Sequence, residues 1–490
     1  MIDNAIILGG GTAGLITAII LKKKIPHLNI TLIKSDSIGI IGVGEGSTEI
    51  FKHFQETIAG LDLGELIEET AATYKVGIKF TNWNGDGKHY FHSVIGNIHH
   101  LASDGYNIGV ATQYLDDIVD PGSLDTFRFY EPYKPGSVHQ FHFDTFKLNQ
   151  YLQKVCLRED IKIVEDTISD IIQDTDTGLI KTLVGEKANY QSEFFVDCSG
   201  FKRMLINKVG GRWKSNRDQL PMNHAIAFPT EYQEDIPLYT ESTALSSGWM
   251  WRIPTQERFG NGYVFDDNFI NAEQAQLEAE KHLGFKVNVA KDIKFEAGAL
   301  QDSWIKNVAA VGLSSSFIEP LEASSIGSSI FQGILLAESL VNWNHDNQTP
   351  SIRFNHCTSL MVENIIDFVQ LHYITKRRDS EFWKNYSMKL TPFNQVYLDS
   401  FKNNFPHRMQ FEGSGAFVMF REINFAQVIA GLEIIDKQSL TNHITKYYKK
   451  DYQKQQDVFK EYMRSFKQKK SITHRDFLGL ISNAYVHNDQ

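Results

Sequence analysis

Cysteine is scarce in this sequence, with only three among 490 residues. Cys156, Cys198 and Cys357 lie far apart and form no C-x-x-C pair. Neither a disulfide framework nor a cysteine-based zinc site is therefore supported, and we predict no metal site. A reducing, cytoplasmic setting is the simpler expectation.

Long apolar runs are missing too. No stretch approaches the roughly 18 uninterrupted apolar residues that a membrane-spanning helix needs, so we expect no membrane partner. The chain starts Met1-Ile2-Asp3-Asn4 and continues directly into an apolar strand, without the basic segment that precedes a secretory signal.

A surplus of basic charge is also absent. The chain has 49 Lys and Arg against 59 Asp and Glu, a net charge of -10, and no long basic stretch in its first 400 residues. Nucleic acid is therefore disfavoured as a partner. No internal repeat or low-complexity linker is visible. A chain of this length can bury a large core in one composite domain or in two to three smaller ones.

The first recognisable motif is a glycine-rich turn between a short apolar strand, Ala5 to Leu8, and a helix-forming stretch, Ala13 to Leu21. A second apolar strand follows at Asn29 to Ile33. Glycines allow backbone geometry that is closed to other residues, and they let main-chain N–H groups approach a pyrophosphate at a helix N-terminus. The G-x-G-x-x-G pattern in this context predicts dinucleotide binding. The residues predicted at the cofactor are Gly9, Gly11, Thr12, Ala13 and Gly14.

One residue departs from the dinucleotide-binding pattern. An acid about 20 residues beyond the glycines normally binds the ribose, but Lys34 ends the second strand. Asp36 is the nearest acid, so ribose recognition is shifted to it or made by Ser35. Alternatively, Lys34 indicates the 2'-phosphate of NADP. Flavin-type motifs downstream favour FAD.

Two further segments carry candidate site residues. The first is a second glycine-rich loop from Ile41 to Thr48, which on residues alone is a flexible loop with Ser47 or Thr48 capping a helix. The second is Tyr74 to Trp83, where apolar positions alternate as in one strand. In such a strand Lys79 is by default a solvated surface residue.

A rare W-x-W-x-I-P pattern occupies residues 249–254, and an Asn261-Gly262 pair follows it. Asn-Gly between apolar runs predicts a hairpin turn. Two core tryptophans on one face of a strand explain the pattern without chemistry. Further on, Glu319 and Glu322 flank Pro320 at the start of a helix from about Ser325 to Leu340, where acidic side chains favour the helix dipole.

Together these motifs resemble the flavin-dependent halogenases, in particular the tryptophan-halogenase-like family. The resemblance implies a mixed α/β (α+β) fold: a Rossmann-like FAD-binding fold of the flavin monooxygenase type with a largely helical substrate module. We expect the FAD-binding module at residues 1–90, 135–215 and 295–345. The substrate-binding module then takes residues 91–134, 216–294 and 346–490, its C-terminal part being helical.

The resemblance also implies roles for individual residues. Lys79 lies at the end of a tunnel from the flavin, where it forms a haloamine or hydrogen-bonds hypohalous acid, and Glu322 faces it across the substrate site. Trp249 and Trp251 shield the flavin, which suppresses direct oxygenation. The remaining flavin-binding residues are Gly42, Val43, Gly44, Glu45, Ser47, Thr48, Gly312 and Leu313, and the halide-binding residues are Ser324 and Ser325.

The implied reaction uses FAD as FADH2, O2 and a halide, which is chloride, bromide or iodide. A separate NAD(P)H-dependent flavin reductase supplies the reduced flavin, and a homodimer is allowed. The family continues Glu-Ser-Thr-Gly where this chain has Glu322-Ala323-Ser324-Ser325, which favours bromide or iodide as a hypothesis. The segment around Asn424 lacks the Ser-Trp pair expected for free tryptophan. A simpler indole, another electron-rich aromatic, or a carrier-bound or peptide-linked ring is therefore expected.

Two other functions remain open. One is a flavin-dependent aromatic hydroxylase, which needs its substrate beside the flavin. The tryptophan pair argues against this function because it would close that space. The Gly312-Leu313 sequence also argues against it, since hydroxylases carry Gly-Asp at these two positions. The second is a protein that binds flavin but does not halogenate.

For secondary structure we expect a helix beginning at His142-Phe143-Asp144, and helices over Glu363 to Arg377 and Thr441 to Lys469. We interpret His372 as structural.

Overall fold

The fold was analysed in a computed structural model of the chain. It describes residues 2–39, 44–93, 129–130, 140–232, 236–344, 347–404, 406, 409–412, 418–448, 454, 457 and 471–488. The predicted flavin-binding residues Gly42 and Val43 lie outside these ranges.

The described strands are β1 (Asn4–Leu8), β2 (Asn29–Lys34), β3 (Glu45–Gly46), β4 (Thr73–Lys75), β5 (Gly77–Thr81), β6 (His89–Ser93), β7 (Phe129–Tyr130), β8 (Gln140–Phe143), β9 (Lys162–Glu165), β10 (Ile168–Gln173), β11 (Ile180–Gly185), β12 (Asn189–Gln191), β13 (Phe194–Asp197), β14 (Trp213–Ser215), β15 (His224–Glu231), β16 (Tyr239–Ala244), β17 (Gly248–Pro254), β18 (Arg258–Phe265), β19 (Lys291–Lys294), β20 (Gly298–Leu300), β21 (Trp304–Ile305), β22 (Val308–Ala310), β23 (Ser316–Phe317) and β24 (Ser471–Ile472).

The described α-helices are α1 (Thr12–Lys24), α2 (Ile50–Lys52), α3 (Leu63–Thr70), α4 (Thr145–Arg158), α5 (Met204–Lys208), α6 (Ala272–Leu283), α7 (Ser324–Leu340), α8 (Thr349–His372), α9 (Glu381–Asn385), α10 (Pro392–Phe401), α11 (Met409–Glu412), α12 (Glu422–Gly431), α13 (Lys437–Tyr448) and α14 (His474–Asn488). A π-helical turn at His53–Ala59 continues α2.

A six-stranded sheet forms the cofactor side of the molecule, in the order β21-β22-β13-β1-β2-β9. All its neighbours pair in parallel except the edge strand β21. Its central strands are apolar because both faces are covered. Helices such as α1 pack on one face, and the three-stranded sheet β10-β11-β12 packs with α5 on the other. Helix α1 is buried from Gly14 to Leu21 and packs against α7. This confirms the predicted Rossmann-like arrangement and its first βαβ unit.

A seven-stranded mixed sheet forms the second layer, in the order β19-β15-β18-β17-β16-β5-β6. Strands β17 and β18 are the predicted hairpin, but the position of its turn was wrong. Residues 255–257 make the turn, whereas Asn261 and Gly262 lie inside β18 opposite Arg252 and Trp251. A glycine is needed there because a Cβ on Gly262 would lie 2.1 Å from the Trp251 ring.

Three other boundaries differ from the predictions. His142 lies in strand β8, and helix α4 begins after Asp144, whose carboxylate accepts bonds from the Phe146 and Lys147 amides. Helix α8 starts well before Glu363 and ends at His372. The expected single strand over residues 74–83 is two strands: β4 pairs with β8, while β5 belongs to the seven-stranded sheet.

The C-terminal part that the structure describes is mainly helical, from α8 to α14. Its apolar residues join those of the seven-stranded sheet in one core, in which Phe80, Trp83, Phe368 and Phe425 are fully or almost fully buried. Of the helix expected over Thr441 to Lys469, the structure describes α13 (Lys437–Tyr448), and most of the rest lies outside the described residues. No described helix has the length and apolar character needed to cross a membrane. The division into two modules stays a prediction.

Asp197 connects the end of β13 to the next helix. It is fully buried, and its Oδ2 accepts hydrogen bonds from the amides of Leu205 and Ile206 at 2.8 and 2.9 Å. Its Oδ1 accepts from the amide and hydroxyl of Ser199 at 2.9 and 2.6 Å. Removing this carboxylate leaves several buried donors without a partner, and each such donor costs stability.

We therefore expect Asp197→Ala to lower the free energy of unfolding by about 3 kcal/mol or more. Asp176→Ala, at an exposed position, is the matched control and should change it by no more than about 0.5 kcal/mol. Urea unfolding followed by tryptophan fluorescence measures both. Equal midpoints for the two variants would contradict this role of Asp197.

Candidate active site

A cavity of about 870 Å³ connects the glycine-rich turn with the start of α7. It lies between the carboxyl ends of the parallel strands and the face of the seven-stranded sheet. Among the residues of this chain that the structure describes, its lining includes the predicted catalytic Glu322 and most of the predicted cofactor, shielding and halide residues: Gly9, Gly11, Thr12, Ala13, Gly44, Glu45, Gly312, Leu313, Trp249, Trp251, Ser324 and Ser325.

The glycine turn has the shape that a pyrophosphate requires. Gly9 has φ of +124°, and a Cβ there would lie 2.1 Å from the Cys198 carbonyl oxygen. A Cβ on Gly14 would lie 2.0 Å from the Gly9 carbonyl oxygen, so this glycine lets the helix pack on the strand. Gly11 has open space around it and caps α1 without a side-chain bond, and the buried Thr12 hydroxyl has no partner. These groups fit a bound dinucleotide.

Lys34, the departure from the dinucleotide-binding pattern, lies beside the glycine turn: a Cβ on Gly10 would be 2.5 Å from the Lys34 Cβ. Its Nζ lies 2.5 Å from Oδ1 of Asp36, and both residues line the cavity. The Ser35 hydroxyl is bonded to Ser37 and Thr167. The acid available for a ribose is therefore Asp36, paired with the lysine that replaces the usual acid.

The described part of the second glycine-rich loop lies across the cavity from the turn. Gly44 has φ of +126° and donates its N–H to the Thr145 hydroxyl at 3.0 Å. Glu45 borders the cavity but is otherwise enclosed by protein, and burial raises its pKa to about 7. Ser47 is not a helix cap: its hydroxyl accepts from the Phe141 amide, and α2 begins after Glu49 with no side-chain cap. The buried Thr48 hydroxyl has no partner.

Gly312 and Leu313 border the cavity at the end of the parallel strand β22. Gly312 has φ of +65°, and its N–H donates to Gln332 Oε1 at 2.9 Å. A Cβ on Gly312 would lie 2.6 Å from that of Ala13 on the first helix. The segment after β22 therefore passes close to the glycine turn.

The two tryptophans stand on one face of β17 and both border the cavity. Their ring centroids are 6.1 Å apart. Trp249 donates its indole N–H to Glu319 Oε1 at 3.2 Å, and Tyr373 donates to the same oxygen at 2.7 Å. Burial raises the pKa of Glu319 to about 8. Glu319 therefore anchors an indole ring in this structure and is not among the cavity-lining residues.

The start of α7 is an unusual backbone turn. Glu322 and Ala323 both have positive φ, 68° and 52°, which is costly for residues with a Cβ and is typical of functional sites. The turn directs the first amides of α7, those of Ser324 and Ser325, toward the cavity end of the helix. No side chain caps this helix. Free N–H groups at the positive end of a helix suit a small anion.

The structure does not bring Lys79 to Glu322. On β5, Lys79 lies opposite Glu241 and Phe91, its Nζ is 5.6 Å from the Tyr239 ring centroid, and it does not border the cavity. The expectation that Lys79 faces Glu322 is therefore corrected. The chain changes sheets at Val76 and Gly77, so the position that approaches Glu322 lies before this break and not after it.

Lys75, four residues earlier, is the lysine beside Glu322. Its Nζ donates to the Ser47 carbonyl at 3.1 Å and is 3.4 Å from where a Cβ on Gly46 would lie. Burial lowers the pKa of Lys75 to about 8, and the charge of Glu322 opposes this shift. The sequence contained one signal for it: two lysines precede Trp83 in an apolar segment, and a glycine separates them.

Two histidines also contact Glu322, and neither was predicted there. His92 Nδ1 lies 2.6 Å from Oε2, and His372 Nε2 lies 3.0 Å from Oε1. The second approach is short but not aligned for an ideal hydrogen bond, so we treat it as a polar contact. Burial alone would raise the pKa of Glu322, but the two imidazoles outweigh it and lower the pKa to about 2. Of the two, only His372 had been considered from sequence, as structural.

The assembled site thus has a buried lysine beside Glu322, a buried carboxylate that lines the cavity, and the glycine turn lines the same cavity. Lys75 is a group that can donate a hydrogen bond or a proton, and Glu322 is a group that can accept a proton. Among the described residues, no group of three or more His, Cys, Asp or Glu side chains is arranged to hold a metal ion.

The chain is similar in sequence and in fold to known halogenases. The family model described as tryptophan halogenase matches residues 4–446. The tryptophan 6-halogenase of Streptomyces toxytricini is 28% identical over 432 residues, which are 80% of this chain and 82% of that protein. A tryptophan halogenase from Shewanella frigidimarina has a crystal structure with a TM-score of 0.85 and 26% identity, covering 98% of both chains. The structure of a flavin-dependent halogenase from Xanthomonas campestris has a TM-score of 0.84 and 26% identity, and the match covers 98% of both chains.

The family match includes every cavity-lining segment described above, from the glycine turn to the start of α7. FAD and a halide are the cofactors that this family implies, and the glycine turn and the helix start provide places that fit them. The chain belongs to the tryptophan halogenase family, whose members are flavin-dependent halogenating enzymes.

Proposed function

We propose that the protein halogenates an electron-rich aromatic ring, with Lys75 and Glu322 as its catalytic pair. One observation carries this proposal: the buried Lys75 lies beside Glu322, a buried glutamate that lines the same cavity as the dinucleotide turn. Reduced FAD, when bound in that cavity, would supply hypohalous acid from O2 and a halide ion.

Lys75 takes the role that the family resemblance had given to Lys79. Its ammonium is held by the Ser47 carbonyl, and its lowered pKa of about 8 leaves a minor amine fraction at neutral pH. The protonated form can hydrogen-bond the oxygen of hypohalous acid and so increase the electrophilicity of the halogen. Its burial keeps bulk water away from the reagent.

Glu322 accepts the proton that the ring loses. Attack of the aromatic carbon on the halogen places a positive charge on the ring, and a nearby carboxylate stabilises this charge and then removes the ring proton. A carboxylate with a pKa of about 2 is ionised throughout the neutral range, so it is ready for this role without prior deprotonation.

Trp249 and Trp251 separate the cofactor end of the cavity from the ring-binding end. Trp251 is packed on Gly262, and Trp249 is fixed by its bond to Glu319. Such fixed indoles exclude a substrate ring from direct contact with the flavin, which supports halogenation over hydroxylation. Hypohalous acid must then travel along the cavity to Lys75.

The start of α7 is the proposed halide site, with the amides of Ser324 and Ser325 as donors. Backbone amides bind an anion without selecting strongly for small size, and larger halides lose their hydration shell at lower cost. We therefore propose that bromide or iodide is used in preference to chloride. Three positions differ here from the family sequence: Ala323, Ser324 and Ser325 stand where the family has Ser, Thr and Gly.

The proposed substrate is an indole or another electron-rich ring, free or attached to a carrier or peptide, and not free tryptophan. Near Asn424 the chain lacks the expected Ser-Trp pair, and the structure uses this segment for packing: Phe425 is fully buried against Phe368 and Phe393. Family membership implies an aromatic substrate and a separate flavin reductase. A cytoplasmic homodimer is part of the proposal.

Lys75→Ala should lower the turnover number for halogenation by at least about 100-fold, because the group that presents hypohalous acid is lost. Lys79→Ala, the matched control on the next strand, should stay within about twofold of the wild type. The measurement is mass spectrometry of halogenated products from a panel of indoles and phenols, with FAD, a flavin reductase, NADH and bromide. Flavin binding by both variants is checked by fluorescence.

The reverse pattern, with Lys79→Ala inactive and Lys75→Ala active, would contradict the assignment of the lysine. A product heavier by one oxygen, without halogen, would instead support the hydroxylase. Hydrogen peroxide without any modified product, from every aromatic tested, would support a flavoprotein that does not halogenate.

Halide choice can be tested by competition. In equimolar chloride and bromide, we expect the brominated product to exceed the chlorinated product by about tenfold, because bromide is cheaper to desolvate at the α7 amides. The ratio of the two products is read from their isotope patterns. A majority of chlorinated product would show that the Ala323-Ser324-Ser325 turn retains chloride preference.

A further inference from the structure

Glu322 is an ionised carboxylate in the core, and such a group needs specific partners to remain charged. The titratable groups around it are His92 on β6, His372 on α8 and Lys75 on β4, with Tyr90 behind His372. Glu319, three residues earlier, is bonded to Trp249 and Tyr373 instead.

We propose that His92 and His372 are positioning residues for the Glu322 carboxylate, His92 through a hydrogen bond and His372 through an N–H in polar contact. As neutral imidazoles they keep Glu322 ionised and fix its orientation for the ring proton. Asn424 and Tyr90 select the histidine tautomers that make this possible. This inference rests on the proposed role of Glu322 in halogenation.

The tautomer of His92 follows from its two neighbours. The Asn424 side-chain oxygen accepts the Arg421 amide at 2.7 Å, so its amide nitrogen is the atom directed at His92. That nitrogen is 2.8 Å from Nε2 and donates to it. Nε2 must then be the unprotonated nitrogen, and Nδ1 carries the hydrogen. Nδ1 is the atom that lies 2.6 Å from Glu322 Oε2.

His372 has the opposite tautomer. Tyr90 has its hydroxyl 2.9 Å from Nδ1, and burial raises the tyrosine pKa well above its usual value, so this hydroxyl keeps its proton. When the hydroxyl donates to Nδ1, the hydrogen of the ring lies on Nε2, the atom that approaches Glu322 Oε1. The other tautomer would direct a lone pair at a carboxylate oxygen. Burial also lowers the pKa of His372, which favours its neutral form.

Ring stacking fixes both imidazoles in place. His372 stacks on Phe80, with centroids 4.6 Å apart, and Phe368 packs edge-on against both His372 and His92 at 5.2 Å. Neutral N–H donors have an advantage over a second cation here: they stabilise the negative charge without neutralising it. The carboxylate therefore keeps its charge, and it can accept a ring proton despite its lowered pKa because an arenium ion is a strong acid.

Two substitutions of His92 separate this role from simple packing. His92→Phe keeps an aromatic ring but removes the N–H donor, whereas the side-chain amide of His92→Asn can place an N–H where Nδ1 was. The pKa of Glu322 is depressed in the folded protein, so losing a donor must raise it. His92→Phe should therefore lose about 10- to 100-fold in turnover number, and a new fall in rate should occur as the pH is lowered through about 5.5 to 7.

His92→Asn should recover most of the turnover and lack this acid limb. A structural role alone predicts that both variants lose activity equally at every pH, with no acid limb, and this result would overturn the proposal. The KM for the aromatic substrate should change little in either variant, because the donor acts on Glu322. Folding of both variants is verified by circular dichroism and flavin binding.

A second measurement does not depend on halogenation. In full-length protein with 15N-labelled histidine, the His92 signals are assigned by their loss in His92→Asn, and their shifts report which nitrogen is protonated. We expect the Nδ1–H tautomer in the wild type and a mixture of tautomers in Asn424→Leu. An Nε2–H tautomer or an imidazolium in the wild type would overturn the proposal. If Glu322→Gln halogenates as fast as the wild type, the proposed function fails, while the spectra still test the tautomers.

Discussion

The burial of one negative charge constrains this active site more than any other feature. Glu322 is almost fully buried at the point where the turn before α7 meets strands from two sheets and the end of α8. An isolated carboxylate in such a place would take up a proton. It stays ionised because the chain brings a lysine and two imidazoles to it from distant positions in the sequence, and each of these groups is held by further bonds of its own.

Much of the local geometry can be understood from this requirement. Because the chain breaks between β4 and β5, Lys75 belongs to a different sheet from Lys79 and lies beside Glu322. The positive φ angles at Glu322 and Ala323 place the carboxylate and the first amides of α7 next to each other. In the function we propose, this one turn provides both the base and the halide site that halogenation of an aromatic ring requires.

The sequence predicted the parts that depend on local pattern. The strand-turn-helix at Gly9 to Gly14 and the second strand from Asn29 follow from apolar runs and glycines, and the structure contains them. The start of α7 was also predicted to within a residue. These elements are specified by neighbouring residues, so periodicity and turn chemistry are sufficient to find them.

The errors arose where tertiary pairing decides. The family resemblance assigned the catalytic lysine to Lys79, and the alternation over residues 74–83 predicted one continuous strand. Val76 instead bonds to Leu238, and the chain then joins another sheet. Asn261-Gly262 read as a turn, yet Gly262 is needed to seat the Trp251 ring. His92 and Asn424 are 332 residues apart and have no local signal at all. Contacts of this kind become visible only when the chain is folded.

The central claim is that Glu322 is ionised in the folded protein and that the groups around it cause this. Infrared difference spectroscopy between the wild type and Glu322→Gln tests it most directly, since a carboxylate and a protonated carboxylic acid absorb at well-separated frequencies. We expect a carboxylate band for Glu322 at every pH between about 5 and 8, because its pKa lies below the usual glutamate value, which is itself below this range. A band of a protonated carboxylic acid in that range would contradict it.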